Sequence, residues 1–132
     1  MSGIWTGLGA MAAIIWAGAC AAAFDVPTVC TGRMDLANAD SSTETYDLRL
    51  TLGAEGYRIT STNLADGAVT DDTGRCTDYL DPGCRHEIRD AAGEVTDFYD
   101  FVLVALDGGE YAYAERWADG FEGGARMTCT PE

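Results

Sequence analysis

An apolar stretch without any charged residue, Ile4 to Ala23, opens the chain, and four of the five cysteines lie beyond it. Small residues dominate the end of this stretch. Ala21 and Ala23 suit cleavage before Phe24, because the pockets of signal peptidase accept only small side chains at these two positions. We therefore predict a signal peptide over residues 1–23, followed by one domain over residues 24–132, in a periplasmic or secreted protein.

Two alternatives remain for the N-terminal segment. It contains no Lys or Arg, which a signal peptide usually carries near its start, and its length would also suit a retained membrane span. Ala17-Gly18-Ala19-Cys20 loosely resembles a bacterial lipobox, with Ala17 where Leu is usual. Lipidation at Cys20 would make the protein a membrane-anchored lipoprotein.

The cysteines that follow the segment predict two disulfides, because an even number in an exported chain is typical of a disulfide framework. Three pairings are possible, and we favour Cys30–Cys129 and Cys76–Cys84. The first bridge would close nearly the whole domain, and the second would close a short loop. A domain this small buries a limited fraction of its surface, so such cross-links contribute substantially to its stability.

Charge limits the partners that the chain can bind. It has 22 acidic and 8 basic residues and a net charge of −14. Every basic residue is Arg; Lys and Gln are both absent, a composition typical of a GC-rich bacterial genome. Such acidity disfavours nucleic acid and anionic membrane surfaces as partners. The acidity is then explained by a basic protein partner, by bound cations or by a requirement for solubility.

The domain reads as strands and turns. Tyr46–Leu52 and Tyr57–Thr60 alternate apolar and polar residues around a glycine-containing turn, which predicts a β-hairpin. Residues 61–75 are rich in Ser, Thr, Asn, Asp and Gly and predict a loop. Further strands are expected at residues 28–36, 85–89, 98–106, 111–117 and 125–130. We predict an all-β fold: a single small, disulfide-braced antiparallel sandwich or meander barrel.

Residues able to carry chemistry are few. His86 is the only histidine, no nucleophile motif accompanies it, and neither a zinc-binding spacing nor a glycine-rich cofactor loop occurs. We therefore predict no catalytic residues, no metal and no cofactor, and we disfavour a hydrolase. Two acid pairs resemble those of a glycosidase, namely Asp97 with Asp100 and Glu110 with Glu115. A candidate calcium site is formed by the cluster Asp71, Asp72, Asp78 and Asp81.

One aromatic strand is the strongest candidate for a binding region. Tyr111, Tyr113, Glu115 and Trp117 fall on the same face of the expected strand at 111–117. Such a face usually packs into a core, and a binding surface or a pocket lining is the alternative. The candidate binding residues are Tyr111, Tyr113, Trp117, Glu110, Glu115, Asp119 and Glu122.

These features favour a protein that acts by binding rather than catalysis. Charged residues around aromatic anchors are typical of a protein-binding patch, so we expect a basic protein partner. In outline the chain is similar to the small periplasmic inhibitors of lysozyme, in size, compartment, β content and cysteines near both ends, although no motif of that family is matched. The alternative is a lipocalin-like small barrel that binds an apolar small molecule.

Overall fold

The computed structural model describes residues 24, 26–38, 40 and 42–132. The predicted signal peptide, its cleavage site and Cys20 lie outside these residues. In the described part, the chain forms eight strands and one short 3-10 turn at Asp107–Gly109. None of the described residues forms a helix that is long and apolar enough to cross a membrane.

The prediction of an all-β fold is confirmed. The strands are β1 (Thr28–Ala37), β2 (Thr43–Leu52), β3 (Gly56–Asn63), β4 (Val69–Arg75), β5 (Cys84–Arg89), β6 (Val95–Ala105), β7 (Glu110–Trp117) and β8 (Glu122–Pro131). The predicted hairpin corresponds to β2 and β3. The other expected strands correspond to β1, β5, β6, β7 and β8.

The strands form one antiparallel sheet that curls into a nearly closed barrel. Its spatial order is β4-β3-β2-β1-β8-β7-β6-β5. Strands that follow each other in sequence are neighbours, with the exception of β4 and β5, and the first strand pairs with the last. The sheet therefore has its two edges at β4 and β5, which face each other across an open seam.

Alternation along the strands separates the barrel interior from its surface. Leu50, Leu52, Ile59, Leu103 and Met127 are fully buried and fill the interior. All eight arginines are exposed on the outer face. Seven of them form ion pairs with acids there, the pairs being Arg33–Asp47, Arg58–Asp71, Arg75–Glu55, Arg85–Asp100, Arg89–Glu87, Arg116–Glu122 and Arg126–Glu110.

One end of the barrel, here called the packed end, is filled by aromatic rings. Phe24 lies 5.5 Å from the Tyr79 ring and 5.4 Å from the Tyr111 ring, measured between centroids. The Tyr79 hydroxyl lies within hydrogen-bonding distance of the carbonyl oxygens of Gly53 and Gly56, at 2.9 and 2.7 Å. These contacts tie the connection between β4 and β5 to the turn between β2 and β3.

Both predicted disulfides are present, and both lie towards the packed end. Cys30 and Cys129 are directly opposite each other on β1 and β8, with Cα atoms 4.0 Å apart. Cys76 and Cys84 span the irregular connection between β4 and β5, with Cα atoms 5.9 Å apart. Two disulfides are typical of an oxidising compartment outside the cytoplasm.

The prediction of a loop over residues 61–75 holds for residues 64–68 and is wrong for residues 61–63 and 69–75. β3 continues to Asn63, and β4 occupies Val69–Arg75, paired with β3 along its length. β4 contains a single apolar residue, Val69, which is exposed, so its composition gives no strand signal. Backbone pairing with β3 and the ion pair between Arg58 and Asp71 hold it in the sheet.

Candidate functional site

A cavity of about 270 Å³ lies at the end of the barrel opposite the packed end, here called the open end. At this end β1 connects to β2, β3 to β4, β5 to β6 and β7 to β8. The cavity is lined by side chains from seven strands, namely Met34, Leu36, Tyr46, Ser61, Thr70, Asp72, Ile88, Tyr99, Glu115 and Trp117.

Small side chains at inward positions create this space. Ser61 on β3 and Thr70 on β4 line the cavity at positions where a larger residue would fill it. On β8, Gly123 makes room for two lining side chains, because a Cβ atom there would lie 2.8 Å from the Met34 sulfur and 3.1 Å from Leu36. The same interior is filled by Leu, Phe, Tyr and Met at the packed end.

Glu115 is the most deeply buried charged residue in the described part of the chain, with 8% of its surface exposed. Its two carboxylate oxygens each accept one hydrogen bond, from the Tyr113 hydroxyl at 2.6 Å and from the Trp117 indole nitrogen at 2.7 Å. Burial raises the pKa of Glu115, and the two hydrogen bonds act in the opposite direction. The Asp72 carboxylate adds a further, smaller increase in this pKa.

Asp72 is the second carboxylate of the cavity, and it also bridges the seam. It accepts a hydrogen bond of 2.7 Å from the Tyr99 hydroxyl on β6. Its other oxygen lies 3.5 Å from Nε2 of His86 on β5, and Nδ1 of His86 lies 2.8 Å from the Tyr57 hydroxyl. Burial, followed by the hydrogen bond to Asp72, raises the pKa of Tyr99 and keeps its hydroxyl protonated as a donor.

Aromatic rings form one wall of the cavity. Tyr99 and Trp117 are directly opposite each other on β6 and β7, with ring centroids 4.7 Å apart. Tyr46 lines the cavity from β2, which β1 and β8 separate from β7, so its ring stands apart from this pair. The cavity thus combines an aromatic wall with aliphatic side chains and two carboxylates.

The structure divides the predicted binding residues between the inside and the outside of the barrel. Tyr113, Glu115 and Trp117 point inwards as the alternation indicated; Tyr113 is buried in the core, and Glu115 and Trp117 line the cavity. Tyr111 also points inwards but packs on Phe24 at the packed end. Outside, Glu110 and Glu122 pair with Arg126 and Arg116, and Asp119 is exposed in the turn between β7 and β8.

The acid pairs suggested by the sequence do not come together. Asp100 is on the outer face, paired with Arg85, whereas the Asp97 carboxylate accepts a hydrogen bond from the adjacent Phe98 amide. Glu110 and Glu115 lie on opposite faces of β7. Among the described residues, no group of three or more His, Cys, Asp or Glu side chains is placed to hold a metal ion.

Asp72 is the site residue that sequence reasoning missed as a partner of Glu115. The composition of residues 61–75 predicts a loop, which assigns Asp72 no inward direction. Tyr99 lies in a predicted strand, and its alternation with Phe101 and Leu103 indicates that all three side chains face the interior.

Comparison of the chain with protein-family models, with curated proteins and with solved structures found no match.

Proposed function

We propose that this protein acts by binding, without catalysis, and that its ligand is a small organic molecule held in the cavity at the open end. The observation that carries the proposal is the contrast between the two barrel ends. Large side chains fill one end, whereas small inward residues leave a cavity at the other. An eight-stranded barrel is just wide enough to hold one small ligand. This is the lipocalin-like alternative raised by the sequence.

The size and lining of the cavity limit the ligand. Its volume of about 270 Å³ is just below the range of about 300–1,000 Å³ that is typical of small-molecule pockets, so the ligand must be small. Met34, Leu36, Ile88 and Trp117 offer an apolar surface for the body of a ligand. Ser61, Thr70 and the two carboxylates offer polar contacts that would orient it. A small ligand with one polar end and one apolar end fits this lining.

A hydrolase remains the disfavoured alternative. Asp72 and Glu115 are two carboxylates in one cavity, the arrangement from which a glycosidase could be built. Both, however, accept hydrogen bonds from tyrosine hydroxyls. The only histidine, His86, is held between Asp72 and Tyr57 at the seam, and no nucleophile motif accompanies it. This arrangement supports binding better than bond cleavage.

A basic protein partner stays a prediction beside this proposal. It is supported by the net charge of −14 and by the exposed Asp119, which lies two residues from the partly exposed Trp117. Tyr113 and Glu115 lie inside the barrel, so a partner bound to the surface would contact the rim around Trp117 and not these two side chains.

A cavity-filling substitution tests the proposal. Ser61→Leu places a larger side chain in the cavity, whereas Thr62→Leu adds a similar bulk at the next position of β3, outside the cavity lining. We expect the unmodified protein to bind members of a set of small neutral aromatic and aliphatic compounds in ligand-observed NMR. Ser61→Leu should lower these affinities by about tenfold or more, and Thr62→Leu should leave them unchanged. Absence of binding by the unmodified protein, or equal binding by Ser61→Leu, would contradict the proposal.

A further inference from the structure

We propose that the cavity selects ligands that carry an amine or quaternary ammonium cation, with Glu115 and the aromatic wall as the groups that hold it. This inference rests on the proposed function, because it names the chemical class of ligand for the same cavity. It follows from three properties of the cavity: a buried carboxylate without a cation of its own, an aromatic wall, and the position of every arginine on the outer face.

The Glu115 carboxylate is paired only with neutral donors. The Tyr113 hydroxyl and the Trp117 indole each supply one hydrogen bond. A carboxylate oxygen can accept two hydrogen bonds, so each oxygen of Glu115 retains the capacity for another. Burial of a carboxylate without a countercharge is unfavourable, and a cation in the cavity would relieve that cost.

The protein supplies no cation of its own next to Glu115. All eight arginines are exposed on the outer face, and the chain has no lysine. His86 is the one described side chain of the interior that can become positively charged, and it lies 3.5 Å from Asp72. The cavity therefore combines two carboxylates with at most one internal cation, and this balance disfavours an anionic ligand.

The aromatic wall gives the cavity a second means of holding a cation. Tyr99 and Trp117 form this wall, and Tyr46 lines the cavity from another side of the barrel. A cation over the face of a Trp or Tyr ring, within about 6 Å of its centre, is attracted by the negative charge of the π system. A quaternary ammonium group has no N–H to donate. It can contact the faces of such rings directly and is attracted by a carboxylate at longer range. An acidic group beside several rings is thus chemically matched to an organic cation.

The test compares two ligands of the same shape. Choline carries a quaternary ammonium group, and 3,3-dimethylbutan-1-ol replaces its nitrogen by carbon and has no charge. Isothermal titration of the full chain with each compound, near neutral pH, measures the contribution of the charge. We expect choline to bind about tenfold more tightly or better.

Matched charge variants assign that preference to Glu115. Glu115→Gln should lower the affinity for choline about tenfold more than it lowers the affinity for the alcohol, so that the preference for choline is lost. Glu122→Gln makes the same charge change on the outer face and should alter neither affinity. Equal affinities of choline and the alcohol, or an unchanged preference in Glu115→Gln, would overturn the inference while the proposed function stands. Absence of binding by both, and by the neutral set above, would contradict the proposed function itself.

The pH dependence provides a test if Glu115→Gln fails to fold. In the unmodified protein, affinity for choline should rise as the pH is raised above 4.5 and Glu115 ionises, and affinity for the alcohol should change less. Asp72, Tyr99 and Tyr113 also face Glu115, and His86 stands beside Asp72. The rise should therefore persist in Asp72→Asn. A flat choline profile, or a rise that disappears in Asp72→Asn, would overturn the role given to Glu115.

Discussion

Glu115 is held in its buried position by neighbours from its own strand. Tyr113 and Trp117 lie two residues before and after it on β7 and point to the same side of the sheet, so their donors reach its two oxygens. The alternation of β7 was readable from the sequence, and with it the grouping of these three side chains. The second carboxylate, Asp72, belongs to a distant strand, and only the closure of the sheet brings it to the same cavity.

The raised pKa of Glu115 predicts a specific dependence of stability on pH. A group with a raised folded-state pKa contributes stability that is present below its unfolded pKa, near 4.5, and is lost as the pH rises through the folded value. Glu115→Gln removes this loss. Its amide can still accept from Trp117 and donate to the Tyr113 oxygen. We expect Glu115→Gln to gain stability over the unmodified protein as the pH rises above about 4.5, by about 1.4 kcal/mol for each unit of raised pKa.

Urea unfolding of both proteins across this pH range measures the difference. The other carboxylates are common to both chains, so the difference reports Glu115 together with its interaction with Asp72. Glu122→Gln, on the outer face, serves as the control and should show no comparable gain. A constant difference between Glu115→Gln and the unmodified protein over the whole range would contradict the prediction.

At the scale of strands, the seam between β4 and β5 is the least regular part of the barrel. No backbone ladder joins these strands in the described sheet. Side chains close the seam instead: Asp72 of β4 contacts Tyr99 of β6 and His86 of β5. β4, the strand without an apolar pattern, thus carries Asp72, the residue that links the two edges of the sheet.

Removal of the Tyr99 hydroxyl tests this role. Tyr99→Phe keeps the ring and removes the hydrogen bond to Asp72, which should cost about 1 kcal/mol of stability. Amide hydrogen exchange should become faster in β4 and β5 and remain unchanged where β1 pairs with β8. Tyr46→Phe is the control, because its hydroxyl bonds Glu44 on its own strand. Equal acceleration in all strands, or in none, would show that this hydrogen bond does not hold the seam.

The sequence predicted most of the strands because their apolar residues alternate, as in β2 and β7. It did not predict β4, since an edge strand with Thr70, Asp72 and Gly74 inside has no apolar periodicity. Gly74 is required there, because a Cβ atom would lie 2.3 Å from the Tyr57 hydroxyl. The sequence offered a ligand pocket as an alternative, but the position and lining of the cavity could not be predicted. Both depend on which strands close the sheet, and no local pattern encodes that arrangement.

For the molecule as a whole, the two disulfides are predicted to contribute unequally to stability. The Cys30–Cys129 bridge spans 99 residues, and the Cys76–Cys84 bridge spans 8. In the chain-entropy model, removal of the longer loop should cost about 4–5 kcal/mol and removal of the shorter about 2–3 kcal/mol. We therefore expect Cys30→Ala/Cys129→Ala to be destabilised more than Cys76→Ala/Cys84→Ala in urea unfolding. Equal losses, or a larger loss in the second variant, would contradict this expectation.

The pairing of β1 with β8 also determines how the barrel would be oriented when it is joined to a partner protein or a surface. Phe24 and the last strand residue, Pro131, both lie at the packed end, and the Glu132 amide donates to the Pro27 carbonyl at 2.8 Å. A fusion partner, an affinity tag or a surface linker joined at either of these positions would leave from that end. The cavity would then point away from the point of attachment and stay accessible from solution.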